Sequence, residues 1–336
     1  MSLTGKGKRM QRRTIALLTA PVLLTSLAAC GSTGTDSEAD GAYPVTVENC
    51  GTDVVFEQQP ERVVLLETAP VTILDGLGVM DSVVSLAGVF DPAYYSDDLN
   101  AKIDEIPTLS DDIDASGHLM LSQEVVIAEQ PDLVLGLPDG VTREGLDSAG
   151  ANTIIQDIYC PEGPEEATTF DTLYGQVDEY GQIFGKQTEA DELNASLKER
   201  VKKVTDQTAD GPERTAAVLY PTVGGGPLYT YGNTSMAQPQ LDAAGFTNVF
   251  EGQDERVFEV SIEELIDRDP DVLILLGQGE DLDELEAEVE RLPGSDSLTA
   301  LEDGNVLAQQ FNFTEPPSPL AVDGLERIVD EFGTGE

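Results

Sequence analysis

A segment typical of a short helix followed at once by a buried strand occurs twice in the chain, 139 residues apart. The first copy is "SQEVVIAEQPDLVLGL", Ser122 to Leu137, and the second is "SIEELIDRDPDVLILL", Ser261 to Leu276; they are identical at six of sixteen positions. In each copy a serine is placed to cap a helix, a glutamate in the first turn suits the helix dipole, and a proline forces the exit into a strand. The duplication predicts two lobes of one design.

Strand and helix signals alternate on both sides of a long helical stretch. The stretch runs from Thr169 to about Gln207, and Gly185 divides it into two arms, the second of which is expected to start after an N-cap at Thr188. About twenty residues of helix would span roughly 30 Å, which is a rigid connection. This alternation predicts an α/β fold of two lobes, each a mostly parallel sheet flanked by helices, joined by a single long helix. The expected divisions are 43–168 for the N-terminal lobe, 169–210 for the linking helical segment and 211–336 for the C-terminal lobe.

The first 42 residues contain targeting signals. A basic stretch, "KGKRMQRR", precedes the apolar "TIALLTAPVLLTSLAA", which is too short for a comfortable membrane span, so residues 1–29 are expected to be a signal peptide. It ends in "LAAC", which resembles the lipobox of bacterial lipoproteins and implies a lipid on Cys30. Residues 30–42 are small, polar and acidic, as in a flexible tether. We therefore expect an extracytoplasmic protein anchored to the cell membrane by Cys30.

The charge of the chain excludes one class of partner. Acidic residues outnumber basic residues 64 to 18, giving a formal net charge of -46. Binding to nucleic acid needs a basic face, so a nucleic-acid partner is not expected. The carboxylates are spread along the chain rather than clustered, which disfavours a cation store.

Two cysteines remain after Cys30, at Cys50 and Cys160. In an exported protein such a pair is expected to form a disulfide. A protein zinc site would need more soft ligands, and His118 is the only histidine in the sequence. We expect no metal bound directly by the protein and no cofactor.

The combination of features resembles a known family. The lipobox, "PERVVLL", "ILDGLG", the paired glutamates seven residues before "PDLV" and "PDVL", and the linking helix are similar to the extracytoplasmic solute-binding proteins of ABC importers for ferric siderophores, cobalamin and haem. The resemblance covers the chain from Tyr43 onward. It implies that Glu124 and Glu263 meet arginines on the two subunits of a permease dimer.

In a two-lobed protein of this kind the ligand is expected in the crevice between the lobes, at the carboxyl ends of the strands. Aromatic rings would offer flat walls to a chelate, and arginines would pair with an anionic chelate. The candidate ligand-binding residues are Glu67, Thr68, Tyr94, Tyr95, His118 and Arg143 from the first lobe, and Tyr229, Tyr231, Arg256, Phe311 and Phe313 from the second.

The sequence thus favours a monomeric, lipid-anchored binding protein that captures a ferric siderophore and delivers it to the permease. Haem and cobalamin are the alternative ligands. A tyrosine side chain can ligate the iron of haem. An enzyme is not expected, because neither a "GxSxG" elbow nor an "HExxH" helix occurs. A secreted carboxylate-dependent hydrolase is the remaining alternative outside the binding class.

Overall fold

Runs of branched apolar residues form the central strands of two sheets. The computed structural model describes residues 43–113, 119–161, 163, 166–279 and 282–333. The signal peptide, Cys30, the tether and His118 lie outside the described residues. In the strand Val63–Leu65 and in the strand Val272–Gly277 every residue is buried, as expected for parallel strands covered on both faces.

The first sheet is fully parallel, with strand order β5-β4-β3-β6-β7. Its strands are β3 (Val63–Leu65), β4 (Val83–Ala87), β5 (Thr108–Ser110), β6 (Leu133–Leu135) and β7 (Asn152–Ile154). Its helices are α1 (Pro70–Gly76), α2 (Asp97–Asp104), α3 (Gln123–Ala128) and α4 (Arg143–Ser148). The sheet and these helices form the first lobe.

A hairpin precedes this sheet and is fixed to it. Strands β1 (Val45–Asn49) and β2 (Thr52–Phe56) pair across a two-residue turn, in which Cys50 and Gly51 both have positive φ, as a type I′ turn requires. Cys50 is joined by a disulfide to Cys160. The buried Asn49 side chain accepts from the backbone N–H of Ile155 (2.9 Å) and donates to its carbonyl (2.7 Å).

Two helices connect the sheets, and they pack against each other as a hairpin. Helix α5 (Phe170–Ile183) begins after Thr169, whose hydroxyl accepts from the Asp171 N–H, and α6 (Gln187–Thr208) is the single long helix expected from the sequence. The expected N-cap at Thr188 is wrong, because α6 begins at Gln187 and its N-cap is Lys186, two residues before Thr188. Asn194 Nδ2 donates to the Tyr174 carbonyl at 2.9 Å, so the two arms lie side by side rather than end to end.

The second sheet is mixed, with strand order β11-β9-β8-β12-β13 and β10 beside β8. Strands β8, β10, β12 and β13 are parallel, and β9 pairs antiparallel with both of its neighbours, β8 and β11. The strands are β8 (Arg214–Pro221), β9 (Leu228–Tyr231), β10 (Phe246–Asn248), β11 (Val257–Val260), β12 (Val272–Gly277) and β13 (Val306–Gln310). The helices of this second lobe are α7 (Ala237–Ala244), α8 (Ile262–Arg268), α9 (Leu282–Glu290), α10 (Thr299–Glu302) and α11 (Pro319–Phe332). The two-lobed α/β fold expected from the sequence is confirmed.

The repeated segments form equivalent units, α3–β6 and α8–β12. Each helix is followed by a residue with positive φ, Gln130 or Asp269, directly before the proline. The next aspartate anchors the neighbouring strand in both lobes: Asp132 accepts from the N–H groups of Glu61 and Arg62, and Asp271 accepts from the N–H and hydroxyl of Thr215. These bonds explain why the Pro-Asp pair is repeated. The proline ends the helix, and the aspartate fixes the position of the following strand relative to its neighbour.

The long connecting helix packs against both lobes. Its Leu193 lies against Gly76 of α1, where an added Cβ would come within 2.8 Å of the leucine side chain. Further along, Arg200 forms a two-point ion pair with Glu326 of α11 (3.0 and 2.7 Å) and Thr208 donates to the Ala243 carbonyl of α7. Within the part of the chain that the structure describes, no helix is both long and apolar enough to cross a bilayer.

Candidate functional site

The carboxyl ends of parallel strands from both sheets border one cleft. In the first lobe the cleft is lined by the segments that follow all five strands, β3 to β7. In the second lobe it is lined by the end of β8 and by the segments that follow β12 and β13. Its volume is about 830 Å³, which lies within the range of small-molecule sites. Strand direction therefore places the loops of both lobes around one space.

Aromatic rings from both lobes form part of the wall. Tyr94, Tyr159, Tyr220 and Phe311 all line the cleft, with ring centroids of Tyr220 and Phe311 6.1 Å apart in an edge-to-face arrangement. Burial raises the pKa values of Tyr94 and Tyr220 above the ordinary tyrosine value. These phenols are therefore neutral hydrogen-bonding groups on flat apolar rings, which suits a rigid organic chelate.

The segment after β13 reaches across the cleft and bonds to the first lobe. The Asn312 backbone N–H donates to the Tyr94 hydroxyl (3.2 Å), and its side chain donates to the Thr68 hydroxyl. The neighbouring Gln310 donates to Asp91 Oδ2 at 2.7 Å, while Asp91 Oδ1 accepts from the Ala93 N–H. These contacts join the two lobes at the cleft and use both oxygens of Asp91.

Glu67 follows β3 and brings an ionisable group to the cleft. Its Oε1 is buried and has no hydrogen-bond partner among the described residues. Burial raises the pKa of this carboxyl to about 7, although the Gln156 amide opposes the increase. Gly136 makes room for it: this residue has a φ of 96°, and a Cβ there would lie 3.0 Å from Glu67 Cγ.

A buried ion pair lies beside the cleft. Arg256 Nη1 donates to Glu315 Oε2 at 3.0 Å, and the second oxygen of the fully buried Glu315 accepts from the Met236 N–H at 2.6 Å. The Arg256 guanidinium lies 5.2 Å from the ring centroid of Tyr159, which lines the cleft. Arg256 therefore supports a wall residue and has its charge compensated by Glu315.

The structure places four of the eleven sequence candidates in the lining: Glu67, Thr68, Tyr94 and Phe311. Tyr95, Tyr229, Tyr231, Arg256 and Phe313 are not lining residues; Tyr95 and Phe313 pack against Tyr94, and Tyr231 is buried. His118 is outside the described residues. Lining residues that the sequence reasoning missed include Asp91, Tyr159, Tyr220 and Asn312.

Arg143 has a structural position away from the lining. Its Nη1 donates to the Thr153 carbonyl and its Nη2 donates to Asn49 Oδ1, each at 2.7 Å. It therefore ties the β1–β2 hairpin to β7. Among the described residues no group of three or more His, Cys, Asp or Glu side chains is arranged to hold a metal ion.

Glu124 and Glu263 occupy equivalent exposed positions in the first turns of α3 and α8. The cap differs between them, because the Ser261 hydroxyl accepts from the Glu264 N–H whereas Ser122 makes no such bond. Instead, the Glu124 backbone N–H and the Ser122 hydroxyl lower the pKa of Glu124. Both helices lead into parallel strands that end at the cleft, so their first turns lie toward the cleft edge of each lobe.

The chain is similar to known proteins. A crystal structure described as an ABC-type Fe3+-hydroxamate transport system, from Saccharomonospora viridis DSM 43017, is 54% identical with a TM-score of 0.83, over 87% of this chain and 100% of that one. A cobalamin-binding protein of Halobacterium salinarum is 28% identical over 88% of this chain and 76% of its own length. An uncharacterised ABC transporter substrate-binding lipoprotein of Bacillus subtilis is 22% identical over 94% of this chain and 95% of its own. The sequence profile of the family described as "Periplasmic binding protein" matches residues 63–310, which include both sheets and the connecting helices, and the chain therefore belongs to the periplasmic binding protein family.

Proposed function

We propose that the protein is the substrate-binding component of an ABC importer and that it carries a ferric hydroxamate chelate in the cleft between its lobes. The observation that carries the proposal is the cleft of about 830 Å³, walled by aromatic rings from both lobes. The 54% identity with a protein described as part of an Fe3+-hydroxamate transport system supports the choice of chelate. In this role the protein binds and releases its ligand unchanged.

The proposed location is outside the cytoplasmic membrane, with a lipid on Cys30 as the anchor. This part rests on the signal sequence and the lipobox-like "LAAC", and Cys30 lies outside the described residues. The B. subtilis relative that is described as a lipoprotein supports it. The described chain would then act as a monomer tethered near its permease.

Haem and cobalamin are the competing ligands. Haem bound through tyrosine would need a phenolate ligand, and burial raises the pKa values of Tyr94 and Tyr220, which disfavours that form. Cobalamin is favoured by the similarity to the cobalamin-binding protein of H. salinarum. Ferric hydroxamate remains the proposed ligand because the more similar protein is described with it.

A ligand panel tests this assignment. Ferric hydroxamates, ferric catecholates, haem and cobalamin would each be added at about 100 times an expected Kd, where a bound ligand stabilises the folded state by about 2.7 kcal/mol. We expect ferric hydroxamates to raise the Tm by on the order of 5 °C, and the other ligands to raise it less. Iron-free hydroxamate is the control. A larger shift with cobalamin or haem than with any hydroxamate would contradict the proposal.

The two exposed glutamates are proposed to dock the permease. We expect Glu124→Ala with Glu263→Ala to lower uptake of radio-iron chelate by about tenfold or more in cells carrying the variant in place of the wild-type chain, because each change removes one charge pair. Chelate affinity of the purified variant should be unchanged, since both side chains are exposed and outside the lining.

A matched control is available in the same fold. Glu105 and Glu302 are exposed glutamates at the C-terminal ends of α2 and α10, one in each lobe, and these helix ends lead into β5 and β13 on the side away from the cleft. The double variant Glu105→Ala with Glu302→Ala removes the same total charge and should retain uptake. Equal uptake by both double variants would refute the docking role.

A further inference from the structure

The charged side chains among the described lining residues of the cleft are all acidic. Its described lining residues include three carboxyl groups, those of Glu67, Asp91 and Asp139, and no lysine, arginine or histidine. The net charge of the whole chain has the same sign. A ligand with net negative charge would enter this cleft against the field of the protein.

The two arginines that the sequence suggested for an anionic chelate are engaged elsewhere. Arg143 is bonded to Asn49 and the Thr153 carbonyl, and Arg256 is paired with the fully buried Glu315. Neither lines the cleft. The expected arginine clamp for a catecholate or carboxylate chelate is therefore missing among the described lining residues.

Of the three carboxyls, Glu67 is the one that is both buried and incompletely bonded. Asp91 uses both oxygens within the protein, and Asp139 is exposed. Glu67 Oε1 is shielded from solvent and has no hydrogen-bond partner among the described residues. A buried carboxyl without a partner is unfavourable for the free protein, so a ligand group that pairs with it gains that missing interaction.

The groups that face Glu67 do not neutralise it. They are the Gln156 amide and the phenols of Tyr159 and Tyr180. Beyond these phenols lie further charged groups, which are Glu179 and Asp157 next to Tyr180, and the Arg256–Glu315 pair next to Tyr159. Only one of these is a cation, and it is compensated by its own carboxylate.

We propose that Glu67 is the charge-selecting residue of the cleft and that the protein prefers hydroxamate chelates bearing a protonated amine to neutral or anionic chelates. The ammonium group would donate to the Glu67 carboxylate, which lines the cleft, while the aromatic wall contacts the apolar part of the chelate. This inference rests on the proposed function and names the class of chelate within it. It identifies Glu67 as a specificity-determining residue.

Two ferric probes that differ in one charge test the proposal. The ferric complex of desferrioxamine B is a trihydroxamate with a free amine, and acetylation of that amine gives a neutral complex of nearly the same shape. By titration calorimetry, we expect the wild-type protein to bind the amine complex about ten- to a hundredfold more tightly. In Glu67→Gln this preference should disappear through a loss of affinity for the amine complex alone. Glu57→Gln, which removes an exposed carboxylate outside the cleft, should keep the preference.

The pH dependence gives a second readout. Because the pKa of Glu67 is about 7, a proton competes with the ammonium group below that pH. Affinity for the amine complex should therefore be highest above about pH 7 and fall as the pH decreases, whereas affinity for the acetylated complex should vary little. In Glu67→Gln the two profiles should become parallel.

The outcomes separate the two proposals. Equal affinity of the wild-type protein for both complexes, or a preference that survives in Glu67→Gln, would refute charge selection and leave the hydroxamate function standing. Binding of neither complex, with binding of cobalamin or haem, would refute both. A tighter complex with a ferric tricatecholate than with either hydroxamate would also refute both.

Discussion

Replacing Cys50 and Cys160 together by serine is expected to lower the free energy of unfolding by about 4–5 kcal/mol. The disulfide joins residues separated by 110 positions, so it closes a loop that contains most of the first lobe. In the loop-entropy model the loss arises because the unfolded chain gains conformational freedom. The native hairpin should stay in place, since Asn49 is bonded to Ile155 and Arg143 independently of the disulfide.

Equilibrium unfolding in guanidinium chloride measures this effect. The double variant should show a lower midpoint, and a reductant should shift the wild-type midpoint to the same value while leaving the variant unaffected. The serine variant therefore shows whether the reductant acts through any group other than the disulfide. The reduced wild-type protein shows whether the serine side chains themselves change the stability. A loss below about 1 kcal/mol would mean that the disulfide does not restrict the unfolded chain as the loop-entropy model requires.

The second large effect is expected from Arg256→Ala, which leaves Glu315 buried without its cation. Breaking a buried ion pair on one side destabilises a protein by about 3–5 kcal/mol. Glu315 is fully buried, and its remaining partner is the Met236 N–H. Lys202→Ala is the matched control, because Lys202 and Asp206 form an exposed pair that should contribute no more than about 0.5 kcal/mol.

The pH dependence distinguishes the lost charge from lost packing. Burial raises the pKa of Glu315, and Arg256 opposes that increase, so removing Arg256 raises the pKa further. A carboxyl whose folded-state pKa is raised contributes stability at low pH and loses it as the pH rises through that pKa. The deficit of Arg256→Ala should therefore be smaller at about pH 5 than at about pH 8. Adding Glu315→Gln to Arg256→Ala should recover part of the lost stability at the higher pH. If the stability deficit of Arg256→Ala did not depend on pH, the loss would come from packing rather than from the charge of Glu315.

The sequence was sufficient for the two-lobed α/β architecture, because the main signals for it are local. The signals are the apolar runs and the duplicated Pro-Asp pair after α3 and α8. Each of them acts within a few residues, and together they predict parallel sheets in two lobes. The pairing of α5 with α6 was missed. It depends on close contact between Gly181 and Ala190, where a Cβ on the glycine would lie 2.6 Å from the alanine Cβ, and both arms have apolar faces that suit either arrangement.

The cleft was only partly predictable, for a related reason. The rule that ligands bind at the carboxyl ends of strands leads to Glu67, Thr68, Tyr94 and Phe311, all of which lie in the lining. Arg143 and Arg256 are candidates in the sequence only because a guanidinium group pairs with an anionic chelate. Their partners are distant in sequence, with Asn49 94 positions from Arg143 and Glu315 59 positions from Arg256, so no local pattern shows that they are engaged.

The way α6 packs has a consequence for the kinetics of capture. A helix that contacts α1 through Leu193 and α11 through Arg200 along one continuous rod cannot fold open like a strand hinge without breaking contacts on both lobes. A ligand therefore meets a cleft whose walls are already in place, and little conformational work precedes binding. Association would then be set by diffusion and electrostatic attraction, and differences among chelates would appear in how long each one stays bound.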